Sequence, residues 1–400
     1  MKNHPARNFG LDILRAVAIG LVLVAHGLTS ATAHSKLRVP LETGAFFGVE
    51  LFFVLSGFLI GGILFRSIAE AGVFTPAALR GFWLRRWFRT LPNYFLFVAV
   101  NAALWLYFPG FSKVPGSSPP VGTYLVFLQN FAHPMPAFFG VSWSLAVEEW
   151  FYLTFPILLL ALLWSVRSPA RAVWFSILFF ALAPVLLRAF THSADDWDDG
   201  LRKIVLLRLD SVMYGVAAAA VSFFHPAWWR RLRPLVWLGF ALLAGVFLFF
   251  QMPRDAGHSI VAHAAVRALL FSVTSLGFML LLPWFCAVEA RGGAFGFAVT
   301  RMSRWSYSMY LCHPPLMFLI SSAWKQVFPD NRWLAVKGGV WLLAVCALSA
   351  LLFRYFEKPM MDLRDHPFFQ SRKAPRKKRT DEASPAENSE GDGSLPVAQK

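Results

Sequence analysis

The sequence predicts an all-α polytopic membrane protein with about ten transmembrane helices and both termini in the cytoplasm. Three observations carry that prediction. Of 400 residues, 57% are hydrophobic and 15% charged, where a typical soluble domain has about 25% charged residues. Ten apolar runs approach the ~20 residues a helix needs to cross the hydrocarbon core. Only helices and closed barrels satisfy their backbone there, and runs of this length are helices. Lys and Arg, finally, divide unevenly between alternate connecting segments, 25 on one side and 8 on the other, with five inside the runs. Basic residues near helix ends stay cytoplasmic, so the richer side is the inner one. The net charge of +16 is then a topology signal, not the footprint of a nucleic-acid partner.

The runs lie at roughly 11–28, 45–65, 92–108, 145–164, 173–190, 204–223, 235–251, 262–286, 305–322 and 333–353. The first follows Lys2 and Arg7 and holds Arg15 and His26. A leader peptide would share that basic start, and Ala31-Thr32-Ala33 has the form of a cleavage site. Asp12 and Arg15 sit awkwardly in a leader's apolar stretch. Glu50 lies in the second run, and the third follows a basic inner loop, Arg85-Arg86-Trp87-Phe88-Arg89-Thr90-Leu91-Pro92. SWSLAVEEWFYL (Ser142 to Leu153) opens the fourth and places Glu148 and Glu149 at its start. Further along, Arg188, Arg208, Asp210, His263, Arg267, His313 and Lys337 are embedded in otherwise apolar sequence. The outer loop 109–143 is long enough to shape a site. Residues 1–361 are expected to form one membrane domain. Residues 362–400 are expected to be a disordered polar tail whose basic part lies against anionic headgroups. Cys286, Cys312 and Cys346 follow no metal or disulfide spacing and read as small lipid-buried residues.

Ionisable groups inside lipid are costly, so each is a functional hypothesis. Arg15 and His26 are 11 residues apart, within about 20° of a whole number of turns and roughly 16 Å along the axis. They share a face, one near each mouth. A snorkelling Arg and a capping His have the same spacing. Arg86 and Arg89, three apart, share a helix face and suit phosphate groups; they equally suit a positive-inside anchor. Glu148 and Glu149 point about 100° apart, so at least one faces a polar cavity or a structural Arg. Asp12 and Arg15 are spaced to pair, whereas Arg208 and Asp210 point to different faces. His313, before Pro314-Pro315, reads as a kink residue. There is no P-loop, HExxH, GxSxG or GxGxxG pattern, which argues against a nucleotide-driven pump, a zinc protease and a serine hydrolase. No metal site is expected. A transporter with buried charges shares all these features.

Seven blocks, in order, resemble the acyltransferase-3 family of integral membrane acyltransferases. They are LDILRAVAIGLVLVAH (Leu11 to His26), GVELFFVLSGFLI (Gly48 to Ile60), RRWFRTLP (Arg85 to Pro92), SWSLAVEEWFYL, RLDSVMYG (Arg208 to Gly215), SYSMYLCHPPL (Ser306 to Leu316) and RYFEKPM (Arg354 to Met360). The resemblance runs from about Asn8 to Met361. Glu50 stands where the family usually has Asp, and Cys312 where Trp or Leu is common. The resemblance implies transfer of an acyl group, most often acetyl, from cytoplasmic acyl-CoA to a hydroxyl of an exported or cell-surface carbohydrate or glycolipid at the bacterial inner membrane. No cofactor is permanently bound. It also implies that Arg15, His26, Arg86 and Arg89 match functionally important positions and that Glu148 matches the carboxylate of the fourth-helix block. On that footing Arg86 and Arg89, with Arg15, are expected to hold the phosphates of the donor, His26 to act as general base or transient acyl carrier, and Glu148 to act with it by orienting or charge-stabilising its imidazole.

Overall fold

The structure, a computed structural model, describes residues 7–29, 35–71, 75–108, 110–111, 118–166, 168–191, 197–252, 263–290, 292–330 and 333–363. The candidate cleavage site Ala31 to Ala33, the Pro- and Ser-rich stretch near Pro115 and the tail beyond Leu363 lie outside the described residues. Among the described residues every regular element is helical, and the α-helices are α1 (Phe9–Thr29), α2 (Arg38–Ala71), α3 (Pro76–Tyr107), α4 (Val121–Leu125), α5 (Ser142–Ser165), α6 (Pro169–Phe190), α7 (Leu209–Phe224), α8 (Pro226–Arg231), α9 (Val236–Gln251), α10 (Ala264–Phe285), α11 (Gly293–Val327), α12 (Leu334–Leu352) and α13 (Lys358–Leu363). A helix occupies each of the ten expected positions, and the chain is an all-α polytopic membrane protein.

Two of the ten differ from a simple apolar crossing. Among the described residues, eight helices are long and apolar enough to span a membrane. α7 has only 16 residues, because the first residues of its apolar run form a 3-10 turn (Val205–Leu207) instead. That turn is held by the long 109–143 loop: Val205 N–H donates to the Asn130 carbonyl at 2.9 Å and Leu206 N–H to Phe131 at 3.2 Å. α11 has 35 residues and turns Ser303, Ser306, Ser308, Tyr310 and His313 into the protein interior. A third difference concerns the basic block before the third run. α3 begins at Pro76, with the Thr75 hydroxyl accepting from Ala78 N–H at 3.2 Å, so Arg86 and Arg89 stand on a helix and not in a loop. Hydropathy marks the part of a helix that lipid can cover; the helix itself runs on.

α2 packs along α1 and α7, α11 lies between α1 and α12, and α9 pairs with α10. At the α2–α7 crossing the backbones nearly touch. A β-carbon on Gly57 would stand 1.9 Å from the Val212 carbonyl oxygen, and one on Gly215 would stand 2.0 Å from that of Val54. Small residues permit such approach between membrane helices. Two ion pairs weld the same region. Arg188 grips Asp210 through both terminal nitrogens at 2.8 and 2.7 Å, and Asp210 also accepts from Ser272 at 2.8 Å. Arg208 bonds Glu50, and its guanidinium sits 3.8 Å over the Phe271 ring. All four charged side chains are fully buried. Arg208 and Asp210 therefore pair with other partners, as their helical faces require.

Candidate active site

Three cavities lie in series along α2. The first, about 520 Å³, opens where α1 begins and is lined by Arg7, Arg15, Phe58, Leu59, Arg66 and Trp229. A narrow second one, about 90 Å³, is lined by Arg15, Ser56, Leu59, Arg86, Arg89 and Glu148. The third, about 600 Å³, lies toward the opposite face and includes His26, Val49, Trp143, Trp197, Arg202 and Tyr310. Arg15 and Leu59 belong to both the first and the second. Val49 and Tyr310 belong to both the second and the third. α2 makes this possible because its 34 residues extend about 50 Å, longer than the hydrocarbon core.

The narrow cavity brings together four of the five residues singled out in the sequence. Arg15 Nη1 lies 4.0 Å from Asp12 Oδ1, and Asp12 is held more tightly by Arg7 at 2.5 Å and by the Ser303 hydroxyl at 2.7 Å. Glu148 accepts from Ser56 Oγ at 3.0 Å and from the Tyr152 hydroxyl, which in turn accepts from Arg86. Arg86 Nη2 is 3.5 Å from Glu148 Oε2, and its guanidinium lies 4.3 Å over the Tyr152 ring. Arg89, one turn on, is exposed to the cavity. Glu149 turns away and accepts from Thr90 at 2.9 Å. One carboxylate of the pair thus faces the polar cavity and the other braces α3.

His26 is exposed to the third cavity. Its Nδ1 lies 2.9 Å from the Val22 carbonyl oxygen. A carbonyl only accepts, so Nδ1 carries the proton and Nε2 the lone pair. The His313 ring lies beside it, with centroids 5.0 Å apart. His313 Nδ1 likewise lies 3.2 Å from the Met309 carbonyl oxygen, and its buried Nε2 has no hydrogen-bond partner among the described residues. Tyr310, on the wall shared by the two cavities, bonds Ser144 at 2.7 Å and the Val141 carbonyl at 3.1 Å. On the far rim, Arg202 sits 4.9 Å over Trp143 and 5.6 Å over Trp197. Asp198 bonds Arg202 at 2.5 Å and Lys203 at 2.6 Å. Burial alone would raise the Asp198 pKa; the two cations outweigh it and hold the carboxyl below its ordinary value.

A family profile described as an acyltransferase domain matches residues 8–351. The chain belongs to the acyltransferase-3 family. It is similar to the peptidoglycan O-acetyltransferase OatA of Listeria monocytogenes, at 25% identity over 378 residues, which covers 88% of this chain and 55% of that protein. A Staphylococcus aureus protein provisionally named an O-acetyltransferase is 32% identical over 168 residues, 40% of this chain and 26% of its own length. The chain thus spans from about a quarter to about half the length of these relatives. No solved structure matches it.

In acyltransferase-3 terms, the blocks in the sequence come together as follows. Arg15, Arg86, Arg89 and Glu148 share one cavity. His26 does not join Glu148: the carboxylate sits on Arg86, Tyr152 and Ser56, and the ring neighbour of His26 is His313. Three neighbours of these residues, Tyr152, His313 and Tyr310, carry no site role in the sequence alone. Tyr152 follows Glu148 by four residues, the spacing that puts two side chains on one helix face. His313 was legible as an ionisable residue within the membrane but reads from sequence as a kink. Tyr310 had no local signal, since only packing puts it between two cavities.

Proposed function

We propose that the chain transfers an acetyl group from cytoplasmic acetyl-CoA to a hydroxyl of an exported or cell-surface carbohydrate or glycolipid, across a bacterial inner membrane. The observation that carries this reading is the series of cavities: a cationic one at the α1 start, a narrow charged passage, and a third that holds an accessible imidazole. The donor enters from the cytoplasmic side, where both termini then lie. Arg15, Arg86 and Arg89 supply positive charge along its path, and Glu148 holds Arg86 in place through Tyr152. The acceptor enters the third cavity.

Nε2 of His26 takes the proton from the acceptor hydroxyl as its oxygen attacks the thioester carbonyl. The new C–O bond forms, the C–S bond breaks, and the leaving thiolate takes the proton back from the imidazolium. A neutral imidazole serves well because its unprotonated nitrogen can accept a proton and return it within one turnover. The same lone pair allows the alternative, a transient acyl-imidazole, which acid-quench mass spectrometry of the protein would detect. The relative named a peptidoglycan O-acetyltransferase supports a carbohydrate acceptor.

The test uses inside-out membrane vesicles containing the full chain and acetyl-CoA labelled in its acetyl group. Label is expected to reach a carbohydrate or glycolipid fraction. His26→Ala should abolish that transfer while purified protein still gains thermal stability from acetyl-CoA. Substrate movement with no consumption of acetyl-CoA would overturn the reading in favour of a transporter.

A further inference from the structure

We infer that the 520 Å³ cavity at the α1 start is the nucleotide subsite: Arg66 and Arg15 bind the phosphates of the donor, and Trp229 takes its adenine. This inference rests on acyl-CoA being the donor. It moves the phosphates away from Arg86 and Arg89, where the motif alone would put them.

Size decides the first point. Ligand sites typically occupy about 300–1,000 Å³. The first cavity, at about 520 Å³, lies in that range; the narrow one, at about 90 Å³, admits a thin arm and no nucleotide. Charge decides the second. Arg86 is already engaged by Glu148 and Tyr152, so a phosphate there would compete with a carboxylate. In the first cavity Arg7, Arg15 and Arg66 face a single lining acid, Asp12, and Arg7 takes most of it at 2.5 Å. Arg66 donates from Nε to the Gly62 carbonyl of its own helix at 2.9 Å, which fixes the guanidinium at the cavity wall.

The third point is aromatic. Trp229 stacks on Phe58 with centroids 5.7 Å apart and planes 13° apart, and both line the cavity. Such a pair offers a flat apolar face on which a purine base can stack. Length agrees as well. From Arg66 to Val49, at the entrance to the third cavity, α2 rises through 17 residues, about 26 Å. An extended arm anchored at Arg66 therefore runs through the narrow passage toward His26, with Arg86 and Arg89 flanking it.

The test is equilibrium binding to the full-length detergent-purified protein, with three probes. These are acetyl-CoA, adenosine 3′,5′-bisphosphate, and acetyl-pantetheine, which lacks the nucleotide. Arg66→Ala and Trp229→Leu are each expected to weaken acetyl-CoA and the bisphosphate at least tenfold and to leave acetyl-pantetheine within twofold. Arg66 is at a cavity wall and not in the core, so its variant keeps its fold; an unchanged melting temperature checks this. Equal affinity of wild type and both variants for acetyl-CoA overturns the subsite while leaving the donor reading intact. Equal loss of acetyl-CoA and acetyl-pantetheine also overturns it. Absence of acetyl-CoA binding in wild type sinks the donor reading itself. Added phosphatidylglycerol that displaces the bisphosphate in wild type and not in Arg66→Ala supports a shared phosphate site. Phosphatidylglycerol binding that depends on Arg66 where the bisphosphate shows none overturns the nucleotide assignment.

Discussion

Two sets of charges lie within the membrane domain, and they are built differently. Around α2, α6, α7 and α10, Arg188, Asp210, Arg208 and Glu50 are fully buried and answer one another. Along the cavities, Arg15, Arg89, Glu148 and His26 keep part of their surface open. A closed pair is a weld, because removing either member leaves a bare charge. An open charge has room for a ligand. Both sets contain two Arg and a Glu; what separates them is accessibility.

The sharpest way to break the comparison is His26→Ala. Transfer should fall by about 10²–10⁴-fold, the range of general-base catalysis, with an unchanged melting temperature. A large loss of stability would move His26 into the structural set. Next comes Arg208→Ala, expected to cost about 3–5 kcal/mol of stability because it strands Glu50. Replacing Arg208 and Glu50 together by Met and Leu should recover much of it, as denaturation in mixed micelles would report.

Gly215→Ala probes the scaffold that holds the welds. Its new β-carbon would press on the Val54 carbonyl, so α2 and α7 must separate, at about 1–3 kcal/mol. Normal stability would mean that the crossing is looser than described. His313→Phe keeps a ring beside His26 and removes its nitrogens. Transfer is expected to slow about tenfold, roughly 1.4 kcal/mol, with acetyl-CoA binding retained; an unaltered rate would make His313 a packing residue only.

The smallest effect is on the far rim. The Asp198 pKa is lowered in the folded protein, so its contribution to stability is present above the unfolded value of about 3.9. It is lost as pH falls through the lower folded value. Because Asp198 is partly exposed, its contribution stays below about 1 kcal/mol. Asp198→Asn should lower the melting temperature slightly and evenly over pH 6–8 and converge with wild type below pH 4, which flattens the acid limb of the profile.

Much of this was readable residue by residue. The ten apolar runs announced ten helices, eight of them long and apolar enough to span, and Arg15 with His26 announced a shared face with two ends. The block RRWFRTLP announced Arg86 and Arg89 on one helix face, although the hydropathy pattern placed them in a loop. The destination of Glu148 was not readable. A carboxylate four residues before a Tyr and a carboxylate serving a distant imidazole look alike in one dimension. His313 was visible only as an ionisable group near two prolines, and its meeting with His26 joins residues 287 positions apart.

By itself the sequence determined the solvent and the elements: apolar length demands helices in lipid, and the scarce charged positions mark where something other than lipid must be met. Tertiary structure alone decided which charges are closed pairs and which line cavities. That distinction depends on what stands within a few ångströms across helix boundaries. α1, α2, α3, α5 and α11 converge there from positions far apart in the chain, and no local pattern encodes the meeting.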